Sequence, residues 1–100
     1  MRLTIQSLAD VFISHNTKAG MKNIDNKMYF LAEQIFIQSP ELSISTLDSI
    51  YLGVLTADPT NESAAFFVDL KFTHINVKRF YRYSITYYDS PYYIAREIIV

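Results

Sequence analysis

His15 and His74 are the two histidines of the chain. Proton-transfer chemistry is sought first at such residues, because an ordinary histidine pKa of about 6.5 lies close to physiological pH. Each stands alone. His15 closes a run of helical spacing, where a cationic ring would favour the helix dipole. His74 closes an alternating run, and in that run Asp69, the nearest carboxylate, falls on the opposite face of a strand. Both histidines therefore read as structural. The carboxylates, such as Asp10, Glu33, Glu41, Asp48 and Glu97, are scattered among turns, helix starts and polar faces, with no pair set for hydrolysis. The chain has no cysteine, no His-x-x-x-His and no acidic calcium-type loop. Its two glycines, Gly20 and Gly53, lie in different elements, and the basic loop Lys18–Lys22 lacks the backbone donors of a phosphate cradle. No catalytic residue, metal site or cofactor is expected, and the chain reads as a non-enzyme.

The compositional departure lies near the C-terminus. Six of the eight tyrosines fall between residues 81 and 93: Tyr81, Tyr83, Tyr87, Tyr88, Tyr92 and Tyr93. Phe80 adds another ring. The chain as a whole has a net charge of −1, but residues 71–88 hold Lys71, Lys78, Arg79 and Arg82 and no acid. Tyrosine and arginine are the residue types that dominate protein-interface hot spots. A large exposed aromatic patch usually meets a partner. Strand-borne rings flanked by cations can instead stack on bases and meet phosphates.

Three readings follow. In the first, the tyrosines serve the fold: Tyr81, Tyr83 and Tyr87 share a face with Ile85 and pack inward. In the second, the other face binds a protein through Phe80, Arg82, Tyr88, Tyr92 and Tyr93, with Lys78 and Arg79 at the rim. In the third, strands 71–88 bind nucleic acid. The second is the favoured one. It makes the protein a small regulator or inhibitor of a partner protein, of the kind encoded by phages and mobile elements. A homodimer through a sheet edge or the hairpin face is compatible with it. The third lacks the signature of an RNA-recognition strand and a basic overall charge.

These side chains must be held by a fold. Half of the 100 residues are apolar and 19% are charged, which suits one folded domain spanning 1–100 with stability in the usual range of ~5–15 kcal/mol. No apolar stretch follows Met1-Arg2, and no run approaches a membrane-spanning length, so a cytoplasmic, soluble protein without membrane contact is expected.

Ile5, Leu8, Val11, Phe12 and His15 predict a helix over 4–15. Met28, Leu31, Ile35 and Phe36 predict a second, from Asp25 or Asn26 to about Ser39, stopped by Pro40. Leu47, Ile50, Tyr51, Val54 and Leu55 predict a third over 46–57, capped by Ser45 or Thr46, with Asp48 in its first turn and Gly53 inside it where another element packs closely. From Phe66 the period changes to two. Strands are expected over 66–74, 77–88 and 92–100, with a turn at Asp89-Ser90-Pro91. A helix beginning near Asn61 is the competing reading of the first part.

The class is α+β: three N-terminal helices packed on one face of a C-terminal three-stranded antiparallel meander. The Tyr-rich hairpin has two possible registers. A two-residue turn sets Ile85 opposite Arg96, and a three-residue turn sets Ser84 opposite Arg96. The choice decides whether Arg96 or Glu97 faces the core, and either brings Arg82 diagonally near Glu97. Three helices and a hairpin also match the order of a winged helix. A helix over 46–57 without lysine or arginine and with Asp48 could not read DNA.

Overall fold

A computed structural model of the chain describes residues 2–18, 25–54, 65–86 and 93–99. Helix α1 spans Ile5–Lys18 and α2 spans Asp25–Gln38. A 3₁₀ turn follows at Pro40–Ile44, and then four strands: β1 Thr46–Val54, β2 Ala65–His74, β3 Val77–Thr86 and β4 Tyr93–Ile98. All neighbouring strands are antiparallel and the sheet order is β1-β2-β3-β4. The α+β class holds, with two helices and four strands among the described residues rather than three and three.

Thr4 starts α1. Its hydroxyl accepts from the Ser7 N–H at 3.0 Å, and the Ser7 hydroxyl accepts from the Thr4 N–H at 2.8 Å. This is a reciprocal capping box with serine in place of the usual Glu or Gln. Leu3 and Leu8, the residues that a hydrophobic staple would join, are both buried. Leu8, Ala9 and Phe12 form the inner stripe of α1, and Met28, Leu31, Ala32, Ile35 and Phe36 that of α2. Pro40 stops α2 as expected, since it disfavours helical geometry at Ser39; Ser39 has φ −138°.

Both stripes meet one face of the sheet. That face carries Phe66, Val68, Leu70 and Phe72 of β2 and Tyr81, Tyr83 and Ile85 of β3, all buried. Ile50 and Leu52 of β1 and Ile94 of β4 pack at the margins of this core. Phe12 meets Phe66 edge-on at 5.7 Å, and His15 lies beside the same ring. The inward residues of β2 are those that the sequence alternation selects.

The segment 46–54 is a strand, not a helix, and the cause is a bulge. Leu47 pairs with Phe72 and Ser49 with Lys71, which leaves Asp48 as the extra residue. The inward side chains are therefore Leu47, then Ile50 and Leu52. A step of three followed by steps of two imitates the start of a helical stripe. Tyr51 belongs to the other face. Asp48 accordingly serves no helix dipole; it accepts a hydrogen bond from the Thr73 hydroxyl at 2.9 Å. The winged-helix order disappears with the third helix.

The β3–β4 register differs from both expected ones. Tyr83 faces Arg96, Arg82 faces Glu97 and Ser84 faces Ala95. Residues 87–92, which hold Tyr87, Tyr88, Tyr92 and the Asp89-Ser90-Pro91 turn, lie outside the described residues, as do 19–24 and 55–64 with the basic loop and the Asn61 region. With this register Arg96 turns to the helix side. Its Nη1 donates to the Gln38 carbonyl and to the Ser39 hydroxyl, each at 3.0 Å. Gln38 returns a bond from Nε2 to the Ile94 carbonyl at 3.3 Å. The end of α2 thereby occupies part of the free edge of β4, one of the ways in which edge strands are kept from pairing at random.

Tyr83 is fully buried, and its hydroxyl donates to Ser39 Oγ at 2.5 Å. Burial pushes its pKa well above the usual tyrosine value, more than the Ser39 bond lowers it. Tyr81 is raised too, by burial first and then by its bond to Glu41 at 3.0 Å. Above pH ~10 the unfolded chain loses these protons while the folded one retains them. A raised folded pKa means stability that is complete below the unfolded pKa and is lost as pH rises from there. Urea midpoints should therefore fall between pH 9.5 and 11, and Tyr83→Phe should flatten that slope. A midpoint independent of pH in this range would contradict the assignment.

The two-residue turn between β2 and β3 is strained. Ile75 and Asn76 have φ of 48° and 61°. Positive φ at both central positions defines the type I′ hairpin turn, for which Asn-Gly is the preferred pair and a β-branched residue is a poor one. Ile75 is 78% exposed and gains no burial in exchange. Replacing Ile75-Asn76 by Asn-Gly should stabilise the protein by about 1–2 kcal/mol, measured by urea denaturation. An unchanged or lowered midpoint would mean that the turn is not of this type.

Candidate functional site

Side chains alternate along each strand, so the residues between the core positions point to the second face of the sheet. None of the described helices covers that face. Its central row runs across three strands: Tyr51 and Gly53 of β1, Phe67, Asp69 and Lys71 of β2, Phe80 and Arg82 of β3. Glu97, Ala95 and Tyr93 of β4 extend it to the edge.

Cross-strand pairing builds the surface. Gly53 lies opposite Phe67, and a Cβ there would run into the Phe67 ring. The glycine is therefore needed for close approach, as the sequence suggests, but on a strand and beneath an aromatic ring. Tyr51 sits diagonally beside Phe67, with ring centroids 6.1 Å apart. Asp69 and Arg82 are directly opposite and form a two-pronged ion pair, Nε to Oδ1 at 2.7 Å and Nη2 to Oδ2 at 2.8 Å. The guanidinium carbon of Arg82 lies 4.5 Å from the Phe67 ring centre. The bond to Asp69 raises the Arg82 pKa further, against partial desolvation. One row later Lys71 Nζ lies 4.9 Å over the ring of its partner Phe80.

The arrangement is a half-buried aromatic surface with cations laid on the rings and one anion, Asp69, locked beneath. It offers flat apolar area at low conformational cost, because Arg82 is held from two sides.

Of the residues singled out from sequence, the structure brings Phe80, Arg82, Lys78 and Tyr93 to this face. Arg79 is on the helix side, at the exposed end of β3. Tyr88 and Tyr92 are outside the described residues. Arg82 and Glu97 are directly opposite rather than diagonal, and Glu97 adds a charge attraction, but the carboxylate that Arg82 hydrogen-bonds is Asp69. Tyr81 and Tyr83 pack inward with Ile85, as the sequence implies. Tyr51, Phe67 and Asp69 were missed as part of the surface. The alternation of 66–74 already places Phe67 and Asp69 opposite the core, whereas Tyr51 is hidden by the bulge.

His15 lies beside the Phe66 ring, and His74 Nδ1 lies 3.2 Å from Ser45 Oγ. Ser45 Oγ donates its single hydrogen to the Glu41 carbonyl at 2.5 Å, so the 3.2 Å contact with His74 requires Nδ1 of that ring to be the donor. Among the described residues no group of three or more histidine, aspartate or glutamate side chains is placed to hold a metal ion. No described helix is long and apolar enough to cross a membrane.

Comparison with protein-family models, with curated proteins and with solved structures finds no match to this chain.

Proposed function

We propose that this chain is a protein-binding module, a small regulator or inhibitor that docks a partner through the helix-free face of its sheet. The supporting observation is the row Tyr51, Phe67, Arg82 with Lys71 and Phe80 beside it. Tyr51 is 63% exposed although it stands against another ring. Aromatic side chains and arginine, pre-arranged and partly desolvated, are what hot spots use. The rim is polar, with Lys78, Ser84 and Glu97.

Nucleic acid is the weaker reading of the same strands. Base stacking needs an open ring face. Phe67 is covered by Arg82 and backed by Gly53, and Phe80 carries Lys71. The chain's acidic balance points the same way.

The test is capture from host lysate on the immobilised protein, with and without nuclease, beside a Tyr51→Ser, Phe67→Ser variant. One protein retained by the wild type in both samples and lost by the variant is the expected result. Retention abolished by nuclease would replace this function with nucleic-acid binding.

A further inference from the structure

Among the described residues Ile75 and Asn76 are the non-glycine positions with positive φ. Asparagine tolerates the left-handed region, so Asn76 suits its place in the turn. Ile75 does not: a β-branched residue there is strained, and among the described residues no large apolar side chain is more exposed. Strain of this kind clusters at ligand clamps and switch regions, where the surrounding structure holds it in place. Here the hold is visible. His74 and Val77 pair on either side of the turn. Ser45, in extended conformation just before β1, reaches His74 Nδ1 at 3.2 Å. Ile44 ends the 3₁₀ turn, one residue before Ser45, and is 64% exposed.

The Ser45–His74 contact brings Ile44 and Ile75 to the same end of the sheet, Ile44 bordering β1 and Ile75 leaving β2. Strand β3 lies between both of them and β4. The strand ends Val54, Ala65, Thr86 and Tyr93 are at the opposite end. The chain neighbours of the two isoleucines are Ser43, Ser45, His74 and Asn76, with no lysine, arginine or acid among them. β-Branching restricts χ1, so an isoleucine held in a paired turn loses little freedom when it docks. The feature is a narrow aliphatic tip in a polar surround.

We propose that Ile75, supported by Ile44 at the same end, is an anchor that inserts into an apolar pocket of the partner protein. The inference rests on the protein-binding reading above and names what the partner must offer: a pocket lined by aliphatic or aromatic side chains, with a polar rim that meets Ser43 and Asn76. Ile75 stands six residues beyond Asp69, about 20 Å of strand. A standard interface covers about 800 Å² on each partner, roughly 30 Å across. One partner therefore spans both the Tyr51–Phe67 row and the tip. An aliphatic anchor in a pocket is a common centre of binding energy. A lipid surface is a poorer fit, since it binds broader apolar area reinforced by lysine and arginine. The strain then has a reason: asparagine at 75 would suit the turn but leave the pocket empty.

The probe is the full chain carrying a photoreactive aliphatic diazirine residue at position 75, beside a second chain carrying it at position 51. Both are irradiated in host lysate, and the cross-linked peptides are sequenced. The chain labelled at 75 should join one protein, at a leucine, isoleucine, valine, methionine or phenylalanine. That protein, purified, should bind Ile75→Asn at least about tenfold more weakly than the wild type. The urea midpoint of Ile75→Asn should be no lower than that of the wild type, since asparagine suits the turn. The cross-link itself does not depend on how that variant folds. No adduct from position 75, adducts at charged or polar residues alone, or Ile75→Asn binding within about twofold of the wild type would overturn the proposal. So would a wild-type chain that sediments with vesicles of phosphatidylcholine and phosphatidylserine when Ile75→Asn does not. Adducts from 51 without any from 75 would remove only this assignment and leave the open face as the docking surface. Adducts from 75 without any from 51 would keep the anchor and move the docking surface off the open face.

Discussion

Tyr83→Ala should cost about 3–5 kcal/mol, a large part of the ~5–15 kcal/mol that holds a domain of this size together. The ring is fully buried, opposite Val68 on one side and Arg96 on the other, and edge-on to Tyr81 at 6.3 Å. Its loss opens a cavity between the sheet and the end of α2, where close packing allows little collapse. It also removes the hydroxyl that donates to Ser39, itself fully buried. Tyr83→Phe separates the two effects. It keeps the ring and should cost about 1 kcal/mol, the usual net worth of one hydrogen bond. Urea denaturation followed by circular dichroism measures both. An alanine variant within about 1 kcal/mol of the wild type would mean that Tyr83 is not at the centre of the core.

The second large effect concerns binding. Phe67→Ala should weaken the captured partner by at least about 2 kcal/mol, close to thirtyfold, because this ring carries Arg82 and flanks Tyr51. Gly53→Ala should reproduce part of that loss without touching the partner. The new methyl group occupies the place of the Phe67 ring, which must swing away and leave Arg82 unsupported. Titration calorimetry gives the affinities, and thermal melts show whether the fold has been kept. If Phe67→Ala binds as the wild type does, the open face is not the docking surface.

Much of this arrangement is legible in the residue order, and the remainder is hidden for identifiable reasons. The stripes of α1 and α2 have the helical period and no competing signal. Phe66 to Phe72 alternate strictly, so both faces of β2 are visible, including Phe67 and Asp69. In β1 a single extra residue, Asp48, makes Leu47 and Ile50 look one helical turn apart and assigns Tyr51 to the wrong side. The Asp69–Arg82 pair depends on the β2–β3 register, which the two-residue turn at Ile75-Asn76 sets. That turn lacks the glycine that normally announces it. The Arg96 side of β4 depends in the same way on a register that neither tight turn at Ser90-Pro91 reproduces. Spacing thus reveals faces within an element, while pairing between elements is decided by bulges and turns whose residues carry weak signals.

The strand order also has a temporal meaning. Apart from the single bridge of Arg2 to Thr46, every described pairing in the sheet joins strands adjacent in the chain, and topologies of this kind fold rapidly for their content of β-structure. The β2–β3 hairpin, with its two-residue connection and central position, is the natural nucleus. Synthesis runs in the opposite sense: α1 and α2 leave the ribosome before the strands that bury Leu8, Phe12, Leu31 and Ile35 exist. Until β3 has emerged, those helices present their apolar stripes to the cell, and the nascent chain is most in need of chaperone protection during that interval.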